Sequence, residues 1–327
     1  VLVRPDRIRP EGGLVISVSD DGEFGVIARI ISRLPSGPGV LLGPGDDAAV
    51  VSVPDGRVVA STDLLVEGRH FRRDWSSAYD IGRKAAAQNL ADIVAMGARP
   101  VALLVGLACP GDLPVAWVED LADGLREESA LIGASVVGGD VSAADSVTLA
   151  VTALGDLEGR EPVTRSGARP GDQVVVAGRL GTAAAGLALL LAGRGTDPLA
   201  DAHRRPQVDY AAGLALASEH GARAMIDVSD GLIADLGNIA EASGVRIELT
   251  AAELPVPTGV AEAATSLGVD PLSWVAGGGD DHAFVAMLPP GTPHGFAVIG
   301  RVVAGVPGVV FTDAAPLGLA GHEHFRS

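Results

Sequence analysis

The sequence predicts an α+β protein of two domains of similar size, and three observations carry that prediction. Its 327 residues exceed one average domain. Short β-rich runs and runs of helical period follow one another along the chain. A polar stretch punctuated by Gly and Pro, residues 155–162, divides the pattern, which then starts again.

Residues 1–22 read as an irregular leader closing on the polar turn Ser19-Asp20-Asp21-Gly22. Val26, Ile27, Ile30, Ile31 and Leu34 lie at helical spacing, which predicts a helix over 25–34, broken by the Pro- and Gly-containing 35–39. Strands are expected at 48–53, 57–61, 102–108 and 147–154. Helices are expected at 78–96, where Gly97 and Pro100 supply the stop, and at 115–132. Beyond the boundary come strand 173–177, helices 182–192 and 210–220, strand 223–227, helix 232–243, and strands 246–249, 284–288 and 296–303. The expected domains are therefore 23–158 and 159–327.

Composition narrows the function. Hydrophobic residues make up 47% of the chain and aromatic ones only 3%, so a large core must be built from Val, Leu, Ile and Ala. The net charge of −17 argues against a nonspecific nucleic-acid binder, whose footprint would be a basic face. An acidic chain can still hold polyphosphate if cations stand between the two. The single cysteine, Cys109, excludes an internal disulfide and a Cys-based zinc cluster. The apolar run 14–18 is too short for a signal-peptide core, and no segment has the ~20 consecutive apolar residues of a membrane span. A soluble, cytoplasmic protein is expected.

Familiar nucleotide signatures are absent. No G-x-x-x-x-G-K-[ST] loop occurs, and the one lysine, Lys84, follows no such loop. Gly178-Arg179-Leu180-Gly181 lacks dinucleotide spacing and reads better as a strand-to-helix turn. What remains is a series of aspartates at turn positions. Asp46 and Asp47 precede a predicted strand, and Asp63 closes Ser61-Thr62-Asp63 at the end of the next one. Asp92 lies in an Ala-rich helix, with Gln88 and Lys84 on roughly the same face. Asp140 follows Gly138-Gly139 after the strand-like run 135–137, and Asp227-Val228-Ser229-Asp230-Gly231 lies where a strand turns into a helix.

Taken singly, these are equally N-caps and turn residues. Asp92 is either a partnered acid among apolar neighbours or part of a solvated stripe, and Lys84 either an anion partner or an exposed helix lysine. Together they suit magnesium, which takes hard oxygen ligands and shares its shell among carboxylates, water and phosphates.

The ordered set Gly45-Asp46-Asp47-Ala48-Ala49, Ser61-Thr62-Asp63-Leu64-Leu65-Val66-Glu67-Gly68-Arg69-His70-Phe71, Asn89-Leu90-Ala91-Asp92, Gly138-Gly139-Asp140, Thr164-Arg165-Ser166-Gly167 and Asp227-Val228-Ser229-Asp230-Gly231 resembles the thiamine-monophosphate kinase family. The resemblance covers nearly the whole chain after residue 21. It implies the two-domain aminoimidazole-ribonucleotide synthetase-like fold, with N-terminal domains that pair into a homodimer around a β-barrel and a C-terminal α/β domain. It implies transfer of the ATP γ-phosphoryl group to thiamine monophosphate with several Mg2+ ions and no acid–base residue. Asp47, Ser61, Thr62, Asp63, Asp92, Asp140, Asp227 and Asp230 would hold metal, and Gly139, Asp140, Arg165 and Ser229 would contact ATP. His70, Asp280 and His322 would contact the thiamine substrate.

Two departures fall on the thiamine side. Where the family usually has Gly-Gly-Glu-Asp-Tyr-Glu, this chain reads Gly278-Gly279-Asp280-Asp281-His282-Ala283, and His322 stands where an aromatic ring usually packs. The competing readings are another ATP-using enzyme of the superfamily and a catalytically silent nucleotide- or metal-binding relative. A selenophosphate synthetase would need a reactive Cys near the start, where Cys109 does not lie.

Overall fold

A computed structural model describes residues 16–43 and 49–313, and the chain divides into two compact units. The first comprises residues up to 53, 60–89 and 100–154; the second comprises 54–59, 90–99 and everything from 155 onward.

The first unit begins with α1 (Val18–Ser32), followed by β1 (Val40–Leu42), β2 (Val50–Val51), β3 (Val59–Val66) and α2 (Ala78–Ala95). Then come β4 (Arg99–Cys109), α3 (Val115–Ala130), β5 (Ser135–Ala143) and β6 (Thr148–Asp156). The end of the expected irregular leader is helical. Ser17 forms a capping box with Asp20, and Gly22, at φ 73° and ψ 167°, breaks the helical path in a kink between this first turn and the rest of α1.

β1 and β2 form an antiparallel pair, and the other four strands form a sheet in the order β3-β6-β4-β5. One face buries Leu65, Leu149, Val151 and Ala153, while Leu64 and Leu104 on the other are 58% and 39% exposed. α2 crosses α3 at a reciprocal pair of glycines. A Cβ on Gly82 would meet the Leu121 carbonyl at 2.3 Å, and one on Gly124 the Tyr79 carbonyl at 2.2 Å.

Two expected strands extend further than their patterns indicate. β3 continues through Ser61-Thr62-Asp63 to Val66, because Leu64, Leu65 and Val66 carry the alternation onward. Gly139 and Asp140 lie inside β5 rather than after it, paired in parallel with Val105 and Gly106 of β4. A Cβ on Gly139 would lie 1.9 Å from the Val105 carbonyl, so the close approach beside a register shift requires glycine there.

The second unit holds β7 (Gln173–Ala177), α4 (Thr182–Leu191), α5 (Ala200–Arg204), α6 (Tyr210–Ser218), β8 (Ala224–Asp227) and α7 (Leu232–Ser243). β9 (Arg246–Leu249), α8 (Thr258–Leu267), α9 (Pro271–Gly277), β10 (Phe284–Leu288), β11 (Ala297–Val303) and β12 (Gly308–Phe311) complete it. Its six strands run β12-β9-β11-β7-β10-β8, and every pairing is antiparallel except β12 with β9. The expected α/β domain is thus α+β, since its sheet is not the parallel one that description implies.

β8 and β10 are buried throughout and, up to Asp227 at the end of β8, read as apolar runs, which fits strands covered on both faces. On one face Val174, Ile226, Val285 and Ile299 pack with Leu236 and Ile239 of α7 and Val260 of α8. On the other, Gly213 of α6 sits so close to Phe284 and Val94 that a Cβ would lie 2.6 Å from each.

Candidate functional site

Period-2 alternation puts Asp227 on the face opposite Ile226 and Val228. It is the register partner of Phe284, beside which the last turns of α2 lie. Asp92 is in those turns, half-buried between the fully buried Ala91 and Ile93. It is therefore no part of a freely solvated stripe.

Two loops are zipped together at this end of the sheet. Val228 donates to the Ala283 carbonyl at 2.8 Å, His282 to the Val228 carbonyl at 2.9 Å, and Asp280 to the Ser229 carbonyl at 2.9 Å. Asp280 and His282 both adopt positive φ, 65° and 50°. The His282 ring is buried, with Nδ1 3.0 Å from Asp227 Oδ2. Burial alone would depress the imidazolium, but the bond to Asp227 and the charges of Asp227, Asp280 and Asp92 outweigh it and raise the pKa. The same charges show which predicted acids converge: Asp92, Asp227 and Asp280 lie within electrostatic reach of one imidazole.

Asp235, in the first turn of α7, holds the loop from within. Its Oδ2 accepts the N–H groups of Ser229 at 3.0 Å and of Asp230 and Gly231 at 3.1 Å each. Burial, then the charges of Asp227 and Asp230, push its carboxyl up to about 7 against two of those N–H donors. The charges of Asp227 and Asp230 thus reach Asp235, a crowding that a bound cation would relieve.

Asp281 has a different task. Its carboxylate accepts from Gly181 N–H at 2.5 Å, Thr182 Oγ1 at 2.8 Å and Ala183 N–H at 2.9 Å, capping α4 from 100 residues away. The helix start after Gly178-Arg179-Leu180-Gly181 is thus filled by a protein carboxylate, which closes the dinucleotide reading. Asp280 is partly exposed, with Oδ2 3.8 Å from His203 Nδ1. The Arg165 side chain and Ser229 are exposed in this unit, and the Arg165 carbonyl accepts from Ser243.

In the first unit, Asn89 accepts the Asp63 N–H at 3.1 Å, and Gln88 Nε2 donates to Asp63 Oδ2 at 3.2 Å. Thr62 Oγ1 donates to the Val151 carbonyl and accepts from Thr152, each at 3.0 Å. Ser61 is half-buried on the same strand, and Asp140 is exposed on β5 and accepts from Ser142 at 2.9 Å. β3 and β5 are opposite edges of their sheet, so within it Asp140 is not beside Ser61, Thr62 and Asp63.

His70 is held in a tight turn, its Nδ1 accepting Val66 N–H at 2.9 Å, which puts the neutral ring's proton on Nε2. Lys84 is 2% exposed and donates to the His70 carbonyl at 3.1 Å. The exposed-lysine reading is therefore corrected: α2 turns Lys84 inward.

Asp47 and His322 lie outside the described residues. Among the described residues, no group of three or more His, Cys, Asp or Glu side chains forms a metal shell by itself. Magnesium commonly takes one or two carboxylates and completes its shell with water and substrate phosphates. Among the described residues, too, no helix is long and apolar enough to cross a membrane.

Sequence reading missed Asn89, Asp235, Asp281 and His282 as site-forming groups. Asp235 left a local trace, an acid one turn into a helix that follows an Asp-Gly pair, and Asp281 and His282 stood in the quoted Gly-Gly-Asp-Asp-His-Ala stretch without a role assigned to them.

Comparison with known proteins adds to this geometry. Residues 45–157 match the family model for the N-terminal domain of AIR synthase related proteins, and residues 169–278 match that for the C-terminal domain. The chain is 51% identical over 308 residues to the thiamine-monophosphate kinase of Mycobacterium tuberculosis, covering 93% of this chain and 92% of that one. It is 38% identical over 336 residues to the Escherichia coli enzyme of that name, covering 94% and 99%. A solved structure described as AaThiL complexed with AMPPCP and TMP aligns with a TM-score of 0.76 at 32% identity, covering 94% and 98%.

Proposed function

We infer the activity from one premise: the chain belongs to the thiamine-monophosphate kinase family, on the two-domain α+β fold of AIR-synthase-related proteins. It is an ATP-dependent kinase that phosphorylates thiamine monophosphate to thiamine diphosphate. An anionic oxygen of the substrate phosphate attacks the γ-phosphorus of ATP in line, and the bond to the β–γ bridging oxygen breaks to release ADP. No general base is needed, because the attacking oxygen carries its charge already near neutral pH. Likeness over the full length of both domains is the observation that carries this reading.

Magnesium, when bound, supplies charge neutralisation on the transferring phosphoryl group. In the second unit Asp92, Asp227 and Asp230 would hold it, and the crowding of Asp227, Asp230 and Asp235 supports that role. In the first unit Asp47, Asp63 and Asp140 are proposed ligands, with Ser61 and Thr62. Gly139, Asp140, Arg165 and Ser229 are assigned to ATP, and His70, Asp280 and His322 to thiamine monophosphate.

The protein works as a cytoplasmic homodimer in which the N-terminal sheets of two copies close a barrel. The exposed Leu64 and Leu104 on one sheet face support this pairing.

The deciding assay supplies thiamine monophosphate, ATP and Mg2+ and measures thiamine diphosphate. Protein that binds the nucleotide yet forms no diphosphate would sink the kinase reading. Light scattering on Leu104→Asp tests the dimer, and an unchanged mass would refute that interface.

A further inference from the structure

His282 is expensive where it stands. A non-glycine residue at φ 50° costs on the order of 1–3 kcal/mol and persists only where its surroundings over-determine it. Its side chain is buried, and Nε2 has no hydrogen-bond partner among the described residues. A space-filling role would be met more cheaply by an apolar ring. What the imidazole gains is the 3.0 Å contact between Nδ1 and Asp227 Oδ2.

Asp227 needs such a contact. It ends β8 buried to 4% exposure, and Asp230 and Asp235 share its surroundings. Repulsion among those acids would swing its carboxylate away, unless a donor pins one oxygen. The His282 backbone is itself fixed by its bond to Val228 in the strand that carries Asp227 on, so ring and carboxylate form one rigid unit.

We propose that His282 is a positioning residue for the metal centre, its Nδ1–H holding the Asp227 carboxylate in the orientation that receives magnesium. The inference rests on the metal role given to Asp227. It also gives a purpose to the imidazole found where the resembled family usually carries tyrosine.

The test separates the two ring nitrogens. Asparagine places its amide at the reach of Nδ1 and tolerates the left-handed backbone, whereas glutamine places its amide at the reach of Nε2. Mn2+ is titrated against the full chain with AMPPCP, and free Mn2+ is read by electron paramagnetic resonance. Circular dichroism and melting verify each fold. His282→Gln and His282→Leu should weaken Mn2+ binding roughly 10- to 100-fold, the usual range when a ligand's orienting partner is lost. His282→Asn should stay within about threefold of the parent, and His282→Gln should add nothing once Asp227→Asn is present. The apparent KM for Mg2+ should rise in parallel, with kcat recovering at saturating metal.

A folded His282→Gln variant that binds Mn2+ like the parent overturns the proposal. So does an asparagine variant as weak as the leucine one. If the parent itself takes up no Mn2+ with AMPPCP, the metal reading of Asp227 falls, and the proposal falls with it.

Discussion

Lys84 Nζ, on the buried side of α2, donates to the main-chain carbonyl of His70 at 3.1 Å. The one lysine of a chain rich in acids is therefore spent on a turn, and that turn presents the histidine proposed to meet thiamine monophosphate. Lys84→Met keeps the length and apolar stem of the side chain. It removes one partner of a buried polar contact and leaves the His70 carbonyl without that donor, which costs stability. The expected outcome is a folded protein of lower melting temperature whose KM for thiamine monophosphate is raised several-fold, with the KM for ATP unchanged. Steady-state kinetics varying each substrate in turn would check it, and equal shifts in both constants would refute it.

Asp92→Asn separates catalysis from folding. Loss of a metal ligand should lower kcat on the order of a hundredfold or more, because metal stabilisation of transition-state charge is worth several kcal/mol. The fold should be retained with a melting temperature near the parent's, since asparagine keeps the size and shape of the half-buried carboxyl. Turnover near the parent's would remove Asp92 from the site.

Gly139→Ala tests whether that glycine is needed by the backbone. Its new Cβ would lie 1.9 Å from a carbonyl that cannot rotate away. Overpacking of this kind typically costs about 1–3 kcal/mol, measurable as a lower urea midpoint. A variant of unchanged stability but higher KM for ATP would mean that glycine is kept for the nucleotide alone.

The cap on α4 sets a pH dependence. Burial pushes the Asp281 carboxyl up to about 6 from its ordinary 3.8, against the N–H and hydroxyl donors around it. Between those values the folded chain retains a proton that the unfolded chain has lost, so stability falls as pH rises from about 4 through about 6. The difference from 3.8 to about 6 corresponds to about 3 kcal/mol as an upper bound. Asp281→Asn should abolish this component, so its stability relative to the parent should improve from pH 4 to pH 7 in urea titrations. A constant difference between the two proteins across that range would contradict the raised pKa.

Helices with a strong apolar period were legible in the sequence. α7 and β10 lie at their expected bounds, and α2 ends one residue short of its own. The short α5 and α9 are too brief to show a period, α8 was missed although its apolar face is as marked as that of α7, and Gly22 masked the start of α1. Most aspartates of the candidate site stood out because they fall at turns and strand ends, where an acid interrupts an apolar run. Their supports did not: Asp281 acts on residues 100 positions away, and Asn89 looks like any polar residue of a helix. Reach across the fold leaves no mark on local spacing.

The strand order of the second unit has a consequence for how the protein is made. β7 is the first strand of its sheet to leave the ribosome, yet its only in-sheet neighbours are β10 and β11, residues 284–288 and 297–303. Until more than a hundred further residues have been synthesised, β7 is an apolar strand with both edges open, a hazard for aggregation. The sheet then closes in one late, long-range step, slow for its size because distant segments must meet first. Asp227 and His282 come together only when β10 pairs with β8, so that contact waits for a segment more than fifty residues downstream of Asp227.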